Sequence, residues 1–352
     1  MSNRKRPTRA DVAARANVST AIVSAVLSEK VGGTIRTSAA TAARVRRAAE
    51  ELNYSPNVAA RSLAKGRNGL LGVYTFTAVF PAEQNDFYQP FLLGIEREAE
   101  AQEHDLLLFT STAGGANGRR RIYRNGGNRL RLADGCILLG QDPDRSEVVH
   151  LADEDFPFVF IGRREVPGRP DPAFVAADYR SAVVDVVEML LELGHTGICY
   201  LRSPGSLEAF QDRRRGYADA LERNRGRIHA EVTLPHQPEG IATAQLRDIV
   251  ALGVTAFIAE GDAWRGVMSS AEHAGYRLPD DLSLVVLGDP PGLATPELTR
   301  LVIPRREMGA AAVRMLVSML GVRDIEDRRH IFYAPEIVLG RTHGAAPPAV
   351  NR

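Results

Sequence analysis

Short apolar runs alternate with amphipathic stretches over most of this chain, and no other feature limits its fold as tightly. From Gly69 onward LLGVYTF, DLLLFT, GCILLG and FPFVFIG fill the first half, and GICYL, VTAFIAE and LSLVVLG the second. Runs this short and apolar suit strands buried on both faces, and the intervening residues 91–102, 181–193 and 308–320 carry helical spacing. The alternation predicts parallel sheets covered by helices on both faces, in two blocks and hence two lobes. A chain of 352 residues accommodates such a unit and a small domain besides.

With 44% hydrophobic and 25% charged residues the chain falls in the ordinary globular class. No stretch approaches the roughly 20 apolar residues that span a bilayer. The opening MSNRKRPTR has no apolar run behind its charges to form a signal peptide, so a cytoplasmic, nucleoid-associated protein without a membrane partner is expected. Cys136 and Cys199 lie inside apolar runs and read as buried free thiols rather than a disulfide or metal pair.

The net charge of +1 hides an asymmetry: residues 1–67 carry thirteen Lys/Arg against four Asp/Glu, and the rest of the chain 31 against 39. The basic end suits a polyanionic partner. Within it, Thr8 is placed to cap a helix that has Asp11 at its third position and Val12, Ala13 and Ala16 on one face. Asn17, which tolerates the left-handed conformation, ends that helix, and Ser19 offers a fresh cap. The next helix, from Thr20 to about Leu27, turns Val23, Val26 and Leu27 inward and leaves Thr20, Ala21, Ser24 and Ala25 on or beside its outer face. That small, uncharged face suits a DNA major groove, where Thr and Ala meet thymine methyls and base edges, and the pair forms a helix-turn-helix. A third helix, capped by Ser38, packs Val45, Ala49 and Leu52 with Arg44, Arg46 and Arg47 alongside. Ser55-Pro56 then opens a two-turn segment that stops at Gly66, too short to hold its shape alone in water.

DVAARANVST with Val23-Ser24, followed by AAEEL, YSPN and ARSL, resembles the headpiece and hinge of the lactose/galactose-repressor family of bacterial transcription regulators. The likeness continues in order through Ala133-Asp134-Gly135, Leu193-Gly194-His195, Arg213-Arg-Arg-Gly-Tyr217, the LPDDLS run from Leu278 and Met308-Gly309. It implies base-facing roles for Thr20, Ala21 and Ala25, and positions near the DNA backbone for Ser19, Ser24, Tyr54 and Asn57. Leu63, flanked by Ala60 and Ala64, matches a leucine that wedges into a minor-groove step where two hinge helices meet across a dimer axis.

The resemblance also implies periplasmic-binding-protein-like lobes joined by three crossings. The expected organisation is a headpiece over residues 1–54, a hinge helix and linker over 55–67, a two-lobed effector-binding and dimerisation core over 68–341, and a frayed Pro/Ala-rich tail over 342–352. The first lobe is expected to take residues 70 to about 166 plus a return segment near 301–320, and the second the middle of the chain and the last strand, IFYAPEIVL. By the same resemblance Phe87 and Tyr88 stand at a pocket mouth, Arg213 faces the cleft from a helix, and Asp262 and Asp289 lie on loops after second-lobe strands. Where many sugar-binding relatives carry Asp or Asn, this chain has Gly162, Gly261 and Gly288. The effector is therefore not a typical sugar, or is held from shifted positions by Glu260, Asp262 and Asp289, or does not exist.

No catalytic motif is present: the chain lacks a Gly-x-Ser-x-Gly elbow, a phosphate loop and a His-Glu-x-x-His pair. GGANG at 114–118 lacks the strand and helix that a dinucleotide site needs, His195 reads as a helix-terminal residue, and Asp153, Glu154 and Asp155 as a solvated loop. No cofactor or metal is expected. The expected function is a dimeric repressor that binds a pseudo-palindromic duplex operator under control of a cleft ligand. The alternative is a solute-binding protein with a basic extension.

Overall fold

The structure, a computed structural model, describes residues 7–27, 37–55, 68–76, 87–110, 120–124, 126–140, 144–166, 168, 172–235, 240–290, 298–321 and 329–348. The chain divides into two compact units, Met1–Asn68 and Gly69–Arg352.

In the first unit, helices α1 (Arg9–Ala16), α2 (Thr20–Leu27) and α3 (Ala39–Glu51) enclose a core of Val12, Ala13, Ala16, Val23, Val26, Val45, Ala48 and Ala49. Thr8 and Asp11 form a reciprocal capping box that satisfies two N–H groups at the start of α1. Asn17 closes the helix with φ 51° and ψ 55° in the left-handed region, so the chain turns within three residues and the two helices meet at 102°. The Ser19 hydroxyl accepts from the Ile22 N–H, and that of Ser38 from the Thr41 N–H. Arg44 donates to the Ala16 carbonyl at 3.4 Å, which ties α3 to the C-terminal end of α1.

The second unit holds two six-stranded sheets. The first is wholly parallel, in the order β13 (His330–Tyr333), β7 (Phe174–Ala177), β6 (Phe158–Ile161), β5 (Gly135–Leu139), β1 (Leu70–Thr75) and β2 (Asp105–Phe109). The other runs β14 (Glu336–Val338), β12 (Thr299–Val302), β11 (Ser283–Val286), β10 (Ala256–Ala259), β8 (Gly197–Arg202) and β9 (Ala230–Pro235), with only the β12–β14 pairing antiparallel. A small hairpin, β3 (Tyr123–Arg124) and β4 (Gly127–Asn128), stands apart. The intervening helices are α4 (Gln89–Ala101), α5 (Arg145–Asp153), α6 (Tyr179–Glu192), α7 (Glu208–Arg223), α8 (Thr243–Ala251), α9 (Ala263–Ala274) and α10 (Arg305–Gly321). Each sheet has a buried cluster on both faces, so the central strands are apolar throughout.

The chain crosses between lobes at residue 178, at residues 303–304 and at residues 334–335. This corrects the expected division of the lobes. The first lobe continues past residue 166 to take β7, and IFYAPEIVL is shared, its first half pairing with β7 and its second with β12. Pro335 sits in the break between the two strands, and Leu301 belongs to the second sheet. α10 returns to the first lobe and crosses α4 so closely that a Cβ on Gly94 would lie 1.9 Å from the Arg306 carbonyl oxygen, and one on Gly309 2.3 Å from that of Phe91. Only hydrogen fits at either position.

The tail is not frayed from residue 342, which corrects a second expectation. Thr342 is buried; its hydroxyl accepts from the Thr299 N–H at 2.9 Å and donates to the Leu284 carbonyl at 2.8 Å. The Ala346 N–H reaches the Leu193 carbonyl, and residues 349–352 lie outside the described part. A Pro/Ala-rich composition conceals such docking because backbone groups, the Thr342 hydroxyl and the His343 ring perform it. Glu154 is likewise not solvated: its carboxylate accepts from Asn128 at 2.7 Å and Arg131 at 3.0 Å.

His195 sits under this tail, fully buried between the Thr255 and Ser283 hydroxyls and the Gly344 carbonyl. Burial lowers its pKa below the ordinary 6.5, outweighing the Gly344 carbonyl, which acts in the opposite direction. The unfolded chain therefore binds this proton more readily, so the stability contributed by neutral His195 is complete above about pH 6.5 and is lost as pH falls. Urea midpoints should decline from pH 7.5 to 5.5 in the wild-type chain. His195→Gln should start lower and show a shallower decline.

Candidate functional site

On the first unit the outer surface of α2 is the candidate nucleic-acid interface. Ser19, Thr20 and Ala21 are exposed and Ser24 and Ala25 half-buried, while Val23 and Val26 point to the core. The face thus presents hydroxyl and methyl groups and no charge. Arg44, Arg46 and Arg47 are exposed along α3. Tyr54 is half-buried against the helical core, and its N–H is held by the Ala49 carbonyl at 2.8 Å. Asn57, Ala60, Leu63 and Ala64 lie outside the described residues.

In the second unit the strands of both sheets end at one cavity of about 320 Å³, where open α/β sheets gather ligands. Phe87, Tyr88, Arg213, Asp262 and Asp289 all line it. Their states differ. Asp262 is largely exposed ahead of α9, with Arg265 at 3.6 Å. Asp289 accepts from Arg300 at 3.0 Å and faces Arg305 at 3.4 Å, and Arg305 in turn lies 5.1 Å over the Phe87 ring. Arg213, on α7, is about nine-tenths buried. Its guanidinium stacks 4.1 Å over Tyr179, with Phe210 at 6.0 Å, and the nearest carboxylate oxygen, on Glu260, is 3.9 Å away. Its Nε is buried without a hydrogen-bond partner.

Glu260 is completely buried behind this arginine and accepts from the Tyr200 hydroxyl and the Ser203 N–H. Burial and the Glu260 charge together push the Tyr200 phenol well above its ordinary value, so it stays a donor. Gly162 and Gly261 have φ of +96° and +56°. The loops that enter the cavity after β6 and β10 thus use a backbone that side chains rarely adopt.

Sequence reasoning missed the arginine pair that follows β6. Arg163 donates to both oxygens of Asp212 on α7, at 2.9 and 2.8 Å, and to Glu165 at 2.6 Å. Burial opposes its charge, but these carboxylates raise its pKa, and the bond from Arg163 lowers that of Glu165. Arg164, 8% exposed, donates to the carbonyls of Arg163 and Gly140 and lies 3.6 Å from Glu208, also on α7; burial lowers its pKa. Glu208 also accepts from the Glu165 N–H at 3.2 Å. First-lobe residues 163–165 are thereby fastened to second-lobe helix α7. The signal was an Arg-Arg pair directly after a buried strand, a position where charge needs a partner.

No group of His, Cys, Asp or Glu among the described residues could hold a metal. The thiols of Cys136 and Cys199 are buried, and burial pushes that of Cys199 up to about 12. No single helix among the described residues is long and apolar enough to cross a membrane.

A basic three-helix unit with a helix-turn-helix, joined in one chain to two Rossmann-like lobes around a cleft, defines a class of DNA-binding regulator. Residues 8–57 match the model of bacterial regulatory proteins of the lacI family, and residues 187–343 that of a periplasmic binding protein-like domain. Catabolite control protein A of Priestia megaterium is 26% identical over 90% of this chain and 93% of its own. The HTH-type transcriptional repressor CytR of Escherichia coli K12 is 26% identical over 95% and 96%. The lac repressor dimer bound to operator and an anti-inducer shares the fold, with a TM-score of 0.71 at 23% identity over 97% of this chain and 100% of that one. The chain carries a lacI-family DNA-binding domain followed by a periplasmic-binding-protein-like domain, as do the regulators it is similar to: it is a DNA-binding transcription regulator and not an enzyme. A solute-binding protein with a chance basic extension is set aside.

The Arg163–Asp212 pair is bidentate and only 12% and 15% exposed. Arg163→Ala should lower the stability of the second unit by about 1–3 kcal/mol, the range for charge-assisted bonds lost at a partly buried site. A double-mutant cycle with Asp212→Ala in urea denaturation should return most of that loss as coupling.

Proposed function

We propose that the chain is a dimeric repressor that binds a pseudo-palindromic operator and whose DNA affinity is set by a small molecule in the inter-lobe cavity. The observation that carries the DNA-reading half is the outer face of α2, where exposed Thr20 and Ala21 stand on a helix held at 102° to α1 within a strongly basic segment. In this reading Thr20, Ala21 and Ala25 meet base edges and methyl groups, Ser19, Ser24 and Tyr54 lie near phosphates, and Asn57, Ala60, Leu63 and Ala64 belong to the hinge. Two copies are needed because one eight-residue helix spans too few base pairs for selective binding, and a twofold pair doubles the contacts. The cavity half is supported by five aromatic or charged residues, Phe87, Tyr88, Arg213, Asp262 and Asp289, brought to one space from four separate loops and helices.

Selection of duplexes from a random pool by the purified chain should yield a two-half-site consensus, with affinity falling linearly in the logarithm of salt concentration. Ala21→Asp places a carboxylate on the exposed face without touching the core. It should weaken consensus binding at least tenfold in a gel-shift titration while moving stability by less than about 0.5 kcal/mol. Equal binding by this variant would remove α2 from the interface.

A further inference from the structure

The hydrogen-bonding capacity that folding leaves unused in the cavity is donor capacity, and we infer from it that the ligand is a small monocarboxylate on a planar, apolar body. This rests on the cavity being the effector site and names the chemistry it would accept.

The carboxylates around the cavity are largely committed. Asp212 is gripped by Arg163, Asp289 by Arg300 and Arg305, and Glu260 by the Tyr200 hydroxyl and the Ser203 N–H. Asp262 remains, but at the exposed rim. The loops that could have supplied further acceptors end in Gly162, Gly261 and Gly288, which bring no side chain. A sugar offers a donor with every hydroxyl and would find few acceptors for them inside.

The other cations each make hydrogen bonds, although the Nε of Arg164 and that of Arg305 are buried without a partner. Arg163 and Arg164 spend their terminal nitrogens on Asp212, Glu165 and two carbonyls. Arg213 makes no hydrogen bond among the described residues, although it is about nine-tenths buried and lines the cavity. Glu260, at 3.9 Å, balances its charge and anchors it from behind while leaving its fork open. A carboxylate only accepts hydrogen bonds and matches that fork in two parallel bonds. Folding has already stripped much of the water from the guanidinium, so the contact forms at low local dielectric. A phosphate dianion would need a second uncommitted cation, which the described residues do not provide. The rest of the wall is aromatic or apolar, from Phe87, Tyr88, Phe91 and Phe210 to Leu207 and Ile303, and a volume of about 320 Å³ suits a single ring.

Calorimetric titration of the full-length chain with benzoate, benzamide, D-ribose, D-cellobiose and inorganic phosphate tests the assignment. Saturable benzoate binding is expected, with benzamide at least tenfold weaker because it is the same body without the charge. Arg213→Gln should weaken benzoate at least tenfold and Arg213→Lys less. Because either variant could unfold, each is checked by its thermal midpoint, and the benzoate-to-benzamide ratio on the wild-type chain decides without them. Failure of benzoate to bind, equal binding of benzamide, or tighter binding of either sugar or of phosphate overturns the proposal. Gel shifts with each probe separate the two levels. A sugar that binds and alters DNA retention sinks the carboxylate and leaves the effector reading standing, whereas an absence of binding and of any DNA response across all five probes sinks both.

Discussion

The backbones of α4 and α10 touch at Gly94 and Gly309, and through that contact the chain, having built most of the second lobe, re-enters the first. α10 covers β5, β6 and β7 with Met308, Ala312, Val313 and Leu316, residues separated from those strands by more than a hundred positions. β13 then completes the first sheet beside β7, and β14 the second beside β12. Neither lobe is finished by contiguous chain. Their stabilities are consequently linked, and the strand ends that surround the cavity are held in common by both.

That shared frame lets the cavity wall carry buried charge. Taking guanidinium and carboxylate groups out of water is costly unless each meets a partner in good geometry. The described residues comply through Arg163 with Asp212, Arg164 with backbone carbonyls and Glu208, and Arg305 with Asp289. Arg213 complies only halfway, stacked on a ring and facing a carboxylate that two other donors already occupy. Arg164 and Arg305 also keep a buried Nε without a partner, but each bonds through its terminal nitrogens, so Arg213 marks the place where a further acceptor would gain most.

Much of this was legible because the relevant signals are local. Thr8, Asp11, Asn17 and Ser19 act through their own and neighbouring backbone groups, and α1 begins and ends, and α2 begins, where those residues say. Six of the seven apolar runs became interior strands because burial on both faces leaves no polar alternative, whereas DLLLFT became the edge strand β2, with Leu106 exposed. What escaped depends on distant pairing. β9 alternates half-buried and exposed residues at a sheet edge, β12 carries Arg300 in its middle, and β7 is a four-residue strand whose place is fixed by β6 and β13. The docked tail escaped for the same reason, since its partners, Leu193, His195, Leu284 and Thr299, lie 43 to 153 positions earlier. In the cavity, residue types could nominate Arg213 and Asp289, but only coordinates reveal that one is open and the other engaged.

Helix α7 joins two of these features on one rigid rod. Glu208 and Asp212 fasten it to residues 163–165 of the opposite lobe, and Arg213 follows directly. A helix advances about 1.5 Å per residue, so the grip at Glu208 and the cavity cation lie only about 7.5 Å apart along the axis. Over so short an arm, α7 bends very little. A tug on the guanidinium would arrive at the fastening almost undiminished, and how the lobes lean on each other would be governed by the same few side chains that line the cavity.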